Sequence, residues 1–159
     1  MKQQMNNAFA IARGEGKAYW FLGSLLEMKA TAEDTGGAFG MVELMHPPGF
    51  AAPMHTNRNE EEIFYVLEGE ATFTVGEKTI MAKQGSFVYT PRGMPHMYKF
   101  EGDGPARILV IVTPAGFEQF FVEASVPAEE FELPPDTVVP DMEKIMAAAE
   151  KYNLNEILE

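Results

Sequence analysis

The chain contains no cysteine. That excludes disulfides, thiolate metal sites and a cysteine nucleophile, and it suits a reducing compartment, so the expected location is cytoplasmic. Basic residues are scarce: 12 Lys and Arg stand against 24 Asp and Glu, a formal charge of −12. Such a surface repels phosphate backbones and anionic lipid, so neither nucleic acid nor a membrane is an expected partner. Long apolar runs are missing as well. The strongest, Ile108-Leu109-Val110-Ile111-Val112, has strand length and falls far short of the ~20 residues a spanning helix needs. Residues 1–12 lack the apolar core of a signal peptide. Histidine is rare, with three copies: His46, His55 and His96.

What is present suits one globular domain. At 159 residues, 46% apolar and 23% charged, the chain can bury a real core. Short β-rich stretches follow one another at 18–30 (one strand or two), 39–45, 62–68, 71–75, 78–82, 86–90, 96–100 and 106–113. Turn residues separate them. Glu33-Asp34-Thr35-Gly36-Gly37 reads as a turn, and Gly76-Glu77 as a two-residue hairpin loop. Many short strands at this spacing argue for a sandwich or barrel and against a βαβ fold.

The ends of the chain differ. Residues 1–16 read as an arm. Thr113-Pro114 has the form of a helix start, Thr as N-cap and Pro at the first helical position. Phe117, Phe120, Phe121 and Ala124 then fall on one helical face. Residues 127–140 hold the prolines of a strap. Met142, Ile145, Met146, Ala149 and Tyr152 predict an amphipathic helix over 140–152, ended by Asn153. Both stripes are expected to serve packing, on the barrel or on a neighbouring subunit.

Two spaced patterns stand out. Gly49, His55, Asn57, Glu62 and Gly69 form the first; Gly85, Pro91, Gly93 and His96 form the second. They resemble the paired motifs of the cupin superfamily, and the likeness covers roughly 39–112. The run Thr113-Pro114-Ala115-Gly116-Phe117-Glu118 is similar to single-domain cupins of the quercetin-dioxygenase-like kind. The resemblance implies an all-β fold, a double-stranded β-helix (the jelly-roll cupin barrel), with C-terminal α-helices. The expected division is an arm at 1–16, a barrel at 17–113 and a helical extension at 114–159. It also implies a homodimer.

For the site, the resemblance implies a divalent transition metal (Fe, Mn, Ni, Zn or Co) held by His55, Glu62 and His96, with Asn57 a possible fourth contact. Strand alternation supports this grouping: 55 and 57 share a face, and antiparallel pairing can bring 96 opposite. The chain departs from the family where Asn57 replaces a second histidine and Phe100 an asparagine. Two histidines and one carboxylate remain, the ligand type of non-haem iron oxygenases. Glu62 is the candidate catalytic base.

By strand parity Phe64 and Val66 share the face of Glu62, and Tyr98 and Phe100 that of His96, so these four are the expected walls of a substrate pocket. The expected function is a metal-binding cupin acting on a small aromatic or oxygenated molecule by dioxygenase chemistry. The alternatives are a cupin isomerase, or a non-catalytic small-molecule-binding cupin with a weakened or absent metal site. Of the neighbouring residues, Glu60 and Glu61 are expected to be solvated, His46 to sit in a loop or at the rim, and Arg92 to lie exposed in a turn.

Overall fold

The computed structural model describes residues 6–158. The first five residues of the expected arm lie outside the described residues, and positions 6–10 are exposed coil.

Two antiparallel sheets face each other. The larger carries β1 (Ala18–Phe21), β2 (Ser24–Ala30), β3 (Gly40–His46), β5 (Glu61–Glu68), β8 (Phe87–Thr90), β10 (Ala106–Thr113) and β11 (Val126–Pro127), in the order β11-β1-β2-β3-β10-β5-β8. The smaller carries β4 (Met54–Asn57), β6 (Glu70–Val75), β7 (Lys78–Lys83), β9 (His96–Glu101) and β12 (Leu154–Leu158), in the order β12-β4-β9-β6-β7. This is the jelly roll. Among the described residues no helix is long and apolar enough to cross a membrane.

Alternation sets the core. Ile108, Val110 and Val112 of β10 point inward, and Val110 lies between Val42 on β3 and Phe64 on β5. From the other sheet Ala71, Phe73 and Val75 of β6 meet them, and Phe73 is paired with Tyr98 on β9. Full burial of side chains such as Phe73 and Ile108 contributes about 1.5–3 kcal/mol each. The stretch 18–30 is two strands, because Leu22 and Gly23 both adopt positive φ and close a two-residue hairpin. Gly69 has a φ of 91°, and a Cβ there would stand 2.9 Å from the Pro105 carbonyl oxygen, so the motif needs glycine.

Three expectations are corrected here. The stretch 33–37, expected as a turn, overlaps a single helical turn, α1 (Ala32–Thr35), formed because Thr31 and Asp34 make a reciprocal capping box. Thr113 is not a helix cap. It ends β10 opposite Glu61, and its hydroxyl donates to the Ala38 carbonyl, so ladder pairing wins over capping. The helix α2 (Glu118–Glu123) starts four residues later and has no side-chain cap; the Glu118 carboxylate instead accepts from the Gly116 and Ala32 N–H groups. Finally, the tail is not helical throughout. The helix α3 (Met142–Lys151), capped by Asp141, runs to Tyr152 and Asn153, and the chain then extends as β12 along β4.

The aromatic stripe of α2 is buried as its spacing predicts, with Phe117, Phe120, Phe121 and Ala124 in the core. On α3 the stripe divides: Ile145 and Ala149 are buried, whereas Met142 and Met146 are about half exposed. The strap is tied across β1 by a hydrogen bond from the Trp20 indole N–H to the Glu132 carbonyl at 2.9 Å.

Candidate metal centre and cavity

His55 and His96 are direct partners across β4 and β9. The 91–95 turn is held against β4, since the Gly93 N–H donates to the Asn57 carbonyl at 2.8 Å. Glu62 comes from the other sheet. It is in phase with the buried Phe64 and Val66 of β5, so its carboxylate crosses the interior to meet both rings. One oxygen, Oε2, lies 3.3 Å from His55 Nε2 and 3.0 Å from His96 Nε2. One ligand atom from each of the three residues lies within 4.8 Å of the others. Glu62 and His96 are buried, and His55 is the partly open member.

The hydrogen bonds fix which ring nitrogens face the site. His55 Nδ1 lies 2.9 Å from the Pro53 carbonyl and His96 Nδ1 lies 3.0 Å from the Met94 carbonyl. A carbonyl only accepts, so each Nδ1 carries the proton. In the neutral rings both Nε2 lone pairs then point at an anionic oxygen. Such an array needs a proton or a cation at its centre, and its two nitrogens and one carboxylate suit a divalent transition metal. Burial pushes the Glu62 carboxyl up, but the hydrogen bonds and charges of His55 and His96 outweigh it and hold the group down at about 2. Burial likewise opposes protonation of His55, but its hydrogen bond to Glu62, the Glu62 charge and the Pro53 carbonyl raise it overall. The backbone bonds at Nδ1 are the outer-shell support that metal-binding imidazoles use.

Asn57 is buried on the same strand face as His55. Its Nδ2 donates to Glu60 Oε1 at 3.2 Å, while its Oδ1 is buried and has no hydrogen-bond partner. A buried acceptor without a partner, on the strand face of His55, is a group that a cation would satisfy. Glu60 therefore departs from the expected solvated state: it is buried because it receives the Asn57 amide, and burial raises its pKa, with the nearby Glu62 charge adding to the rise. Glu61 faces outward and pairs with Arg92 at 2.7 Å, an exposed bridge of little energetic weight.

His46 also departs from expectation. It is the last residue of β3 and is buried rather than at a rim. Its Nδ1 lies 2.6 Å from Ser24 Oγ and its Nε2 lies 2.7 Å from the Tyr98 hydroxyl. A neutral imidazole has one N–H and one lone pair, so the ring donates to one of these two hydroxyls and accepts from the other. Burial depresses the His46 pKa to about 3, which keeps the ring neutral. Phe50 stacks on it, with centroids 3.7 Å apart. The signal was present in the sequence, because His46 is in phase with Val42 and Leu44.

A cavity of about 120 Å³ opens beside His55 and Glu62. Tyr98 lines it. Phe64, Val66 and Phe100, also expected as walls, lie fully buried, with Phe64 packed 6.0 Å from the His96 ring and 5.5 Å from that of Tyr98. Besides Phe21, Phe50 and the β-strand residues, the wall includes both apolar stripes of the C-terminal helices. Phe117, Phe120 and Phe121 close it from the α2 side, and Met142, Ile145 and Met146 from α3. Their helical stripes were legible; the cavity they face was not.

Comparison with known proteins agrees with this fold. Residues 41–112 match the cupin domain family. The quercetin 2,3-dioxygenase of Bacillus subtilis is 28% identical over 93 residues, which are 58% of this chain and 28% of that protein. The oxalate-binding protein of Thermotoga maritima is 30% identical over 66 residues, 42% of this chain and 54% of that one. The matched stretches thus span about a quarter and about half of these relatives. Among solved structures, KdgF from a Halomonas species superposes with a TM-score of 0.62 at 12% identity, covering 71% of this chain and 99% of that one, a likeness of fold. The matched stretch, residues 41–112, holds both spaced motifs, and the strands on either side of it complete the jelly roll.

Proposed function

We propose that this chain is a metal-dependent cupin in which His55, Glu62 and His96 hold a divalent transition metal and a small molecule reacts in the adjoining cavity. The favoured chemistry is that of a dioxygenase, similar in type to quercetinase, in which both atoms of O₂ enter the substrate. The observation that supports it best is the convergence of three donor atoms, two nitrogens with their tautomers set by backbone carbonyls and one anionic oxygen, at the polar end of an apolar cavity. Held by these three residues, a metal would supply a Lewis acid beside the cavity.

The chain's own groups do the rest. Glu62 stays ionised and supplies the charge that a divalent ion needs. It is also the one carboxylate among the residues lining the cavity, so it is the group placed to take a proton from a substrate hydroxyl. Pro53 and Met94 orient the imidazoles through their carbonyls. The aromatic wall excludes water and strengthens every electrostatic interaction within it. The test is oxygen uptake by iron-, manganese- and nickel-loaded protein with phenolic substrates. Turnover that His96→Ala abolishes supports the proposal. Absence of turnover with every metal, in protein shown to be loaded, contradicts the dioxygenase reading.

One observation favours a second reading, a small-molecule-binding cupin without catalysis. Asn57 stands where the family carries a further histidine, and its amide is engaged by Glu60. Ligand binding that is unaffected by chelator, in protein that purifies without metal, decides for that reading.

A further inference from the structure

We infer that the cavity beside His55 and Glu62 is built for an uncharged molecule with a single aromatic ring and one polar edge, such as a phenol or catechol, and not for a three-ring flavonol or a small dianion. The inference deepens the proposed function, and it rests on that reading for which end of the ligand faces the metal site. Size is the first argument. The cavity measures about 120 Å³. An apolar protein cavity on the order of 150 Å³ accommodates benzene, so a single ring fills this space, and a three-ring flavonol would have to leave two of its rings outside it.

The wall is the second argument. Phe21, Phe50, Phe117, Phe120 and Phe121 surround the space, which favours edge-to-face and offset contacts with an aromatic guest. Among the described residues no lysine or arginine lines the cavity. A dianion would enter a space whose charged lining group is the Glu62 carboxylate, with no cationic side chain to meet it and phenyl rings around it, which is strongly unfavourable.

Polarity is the third argument. His46 and Tyr98 also reach the cavity, but they are engaged with each other at 2.7 Å, and the second His46 nitrogen is engaged with Ser24. What remains for a ligand's polar group is the end formed by His55 and Glu62. Met142 and Met146, half exposed and lining the same space, form an adaptable entrance.

The test uses full-length protein stripped of metal, titrated with para-fluorophenol and followed by fluorine NMR. Catechol, oxalate and a flavonol serve as competitors. The expected result is saturable binding of para-fluorophenol, displaced by catechol and unaffected by oxalate or the flavonol. Ala52→Leu, which puts a larger side chain into the cavity, should weaken binding at least ~10-fold, as loss of a filled apolar site does. Ile145→Ala, which enlarges the cavity, should admit a two-ring naphthol that the unaltered protein rejects, and it carries the test if Ala52→Leu does not fold. Displacement by the flavonol or oxalate, or binding unchanged in Ala52→Leu and no naphthol binding in Ile145→Ala, overturns the inference. Because binding is read without metal, a protein that takes the phenol but no metal sinks the metal-enzyme reading alone, and the reverse sinks this inference alone.

Discussion

His55 and His96 are paired across two strands of one sheet, and both turn Nε2 toward the same oxygen of Glu62, at 3.3 and 3.0 Å. The relationship has a direct electrostatic consequence. In metal-free protein Glu62 raises the His55 pKa through a hydrogen bond and its charge, while burial pulls the other way. Glu62→Gln removes the charge and leaves the burial. Its expected outcome is a lower His55 pKa, read by NMR titration of the imidazole, and a loss of metal affinity of ~100-fold or more, read by competition with a chelator.

Metal binding should depend on pH in a defined sense. A metal must displace the proton from His55 Nε2, and the raised pKa means that this proton is held to higher pH than in a free histidine. Below that pKa, apparent affinity should fall ~10-fold per pH unit for one displaced proton; above it, the dependence should flatten. Calorimetric titration in buffers of different ionisation enthalpy counts the released proton. Proton release that does not vary with pH would contradict this picture.

His46 predicts a separate pH effect, on stability. Its folded pKa is depressed to about 3 from an ordinary value near 6.5. Above 6.5 the ring is neutral in both states and has no effect. As pH falls below 6.5 the unfolded chain takes up a proton that the folded chain refuses, so stability falls until the folded pKa is reached. The slope for one proton is about 1.4 kcal/mol per pH unit. His46→Gln should lose that slope between roughly pH 6 and 5, while carboxylate contributions cancel in the comparison of urea unfolding curves. The same slope in the variant would show that His46 is not the group responsible.

Asn57 and Glu60 are coupled. Asn57→Ala leaves a buried carboxyl without its donor, and a loss of about 1–3 kcal/mol in unfolding free energy is expected. Asn57→His restores an imidazole at the position where the family has one, and it should raise metal affinity. Unchanged affinity would place position 57 outside the ligand sphere.

These tests fall on two kinds of residue, those visible in the sequence and those that were not. His55, Glu62 and His96 were legible because their spacing is tied to turns that need glycine or proline, as at Gly69 and Gly93. The barrel strands were legible by alternation. His46 was misplaced because the prolines after it suggested a loop, although its parity with Leu44 marked it as buried. Glu60 was misread because a run of three acids looks solvated; its burial depends on Asn57, a partner that sequence alone does not assign. Thr113 has both a cap's identity and a strand's, and only the pairing with β5 decides between them. The cavity wall needed the tertiary structure, since Phe120 and Ile145 look the same in sequence whether they fill a core or face a space.

The central claim is that His55, Glu62 and His96 hold a metal. Elemental analysis of protein purified without added metal or chelator, beside His55→Ala and Glu62→Gln prepared in the same way, tests it most directly. One transition-metal ion per chain is expected, lost in both variants while their circular dichroism is retained. Substoichiometric metal that neither substitution reduces would contradict it.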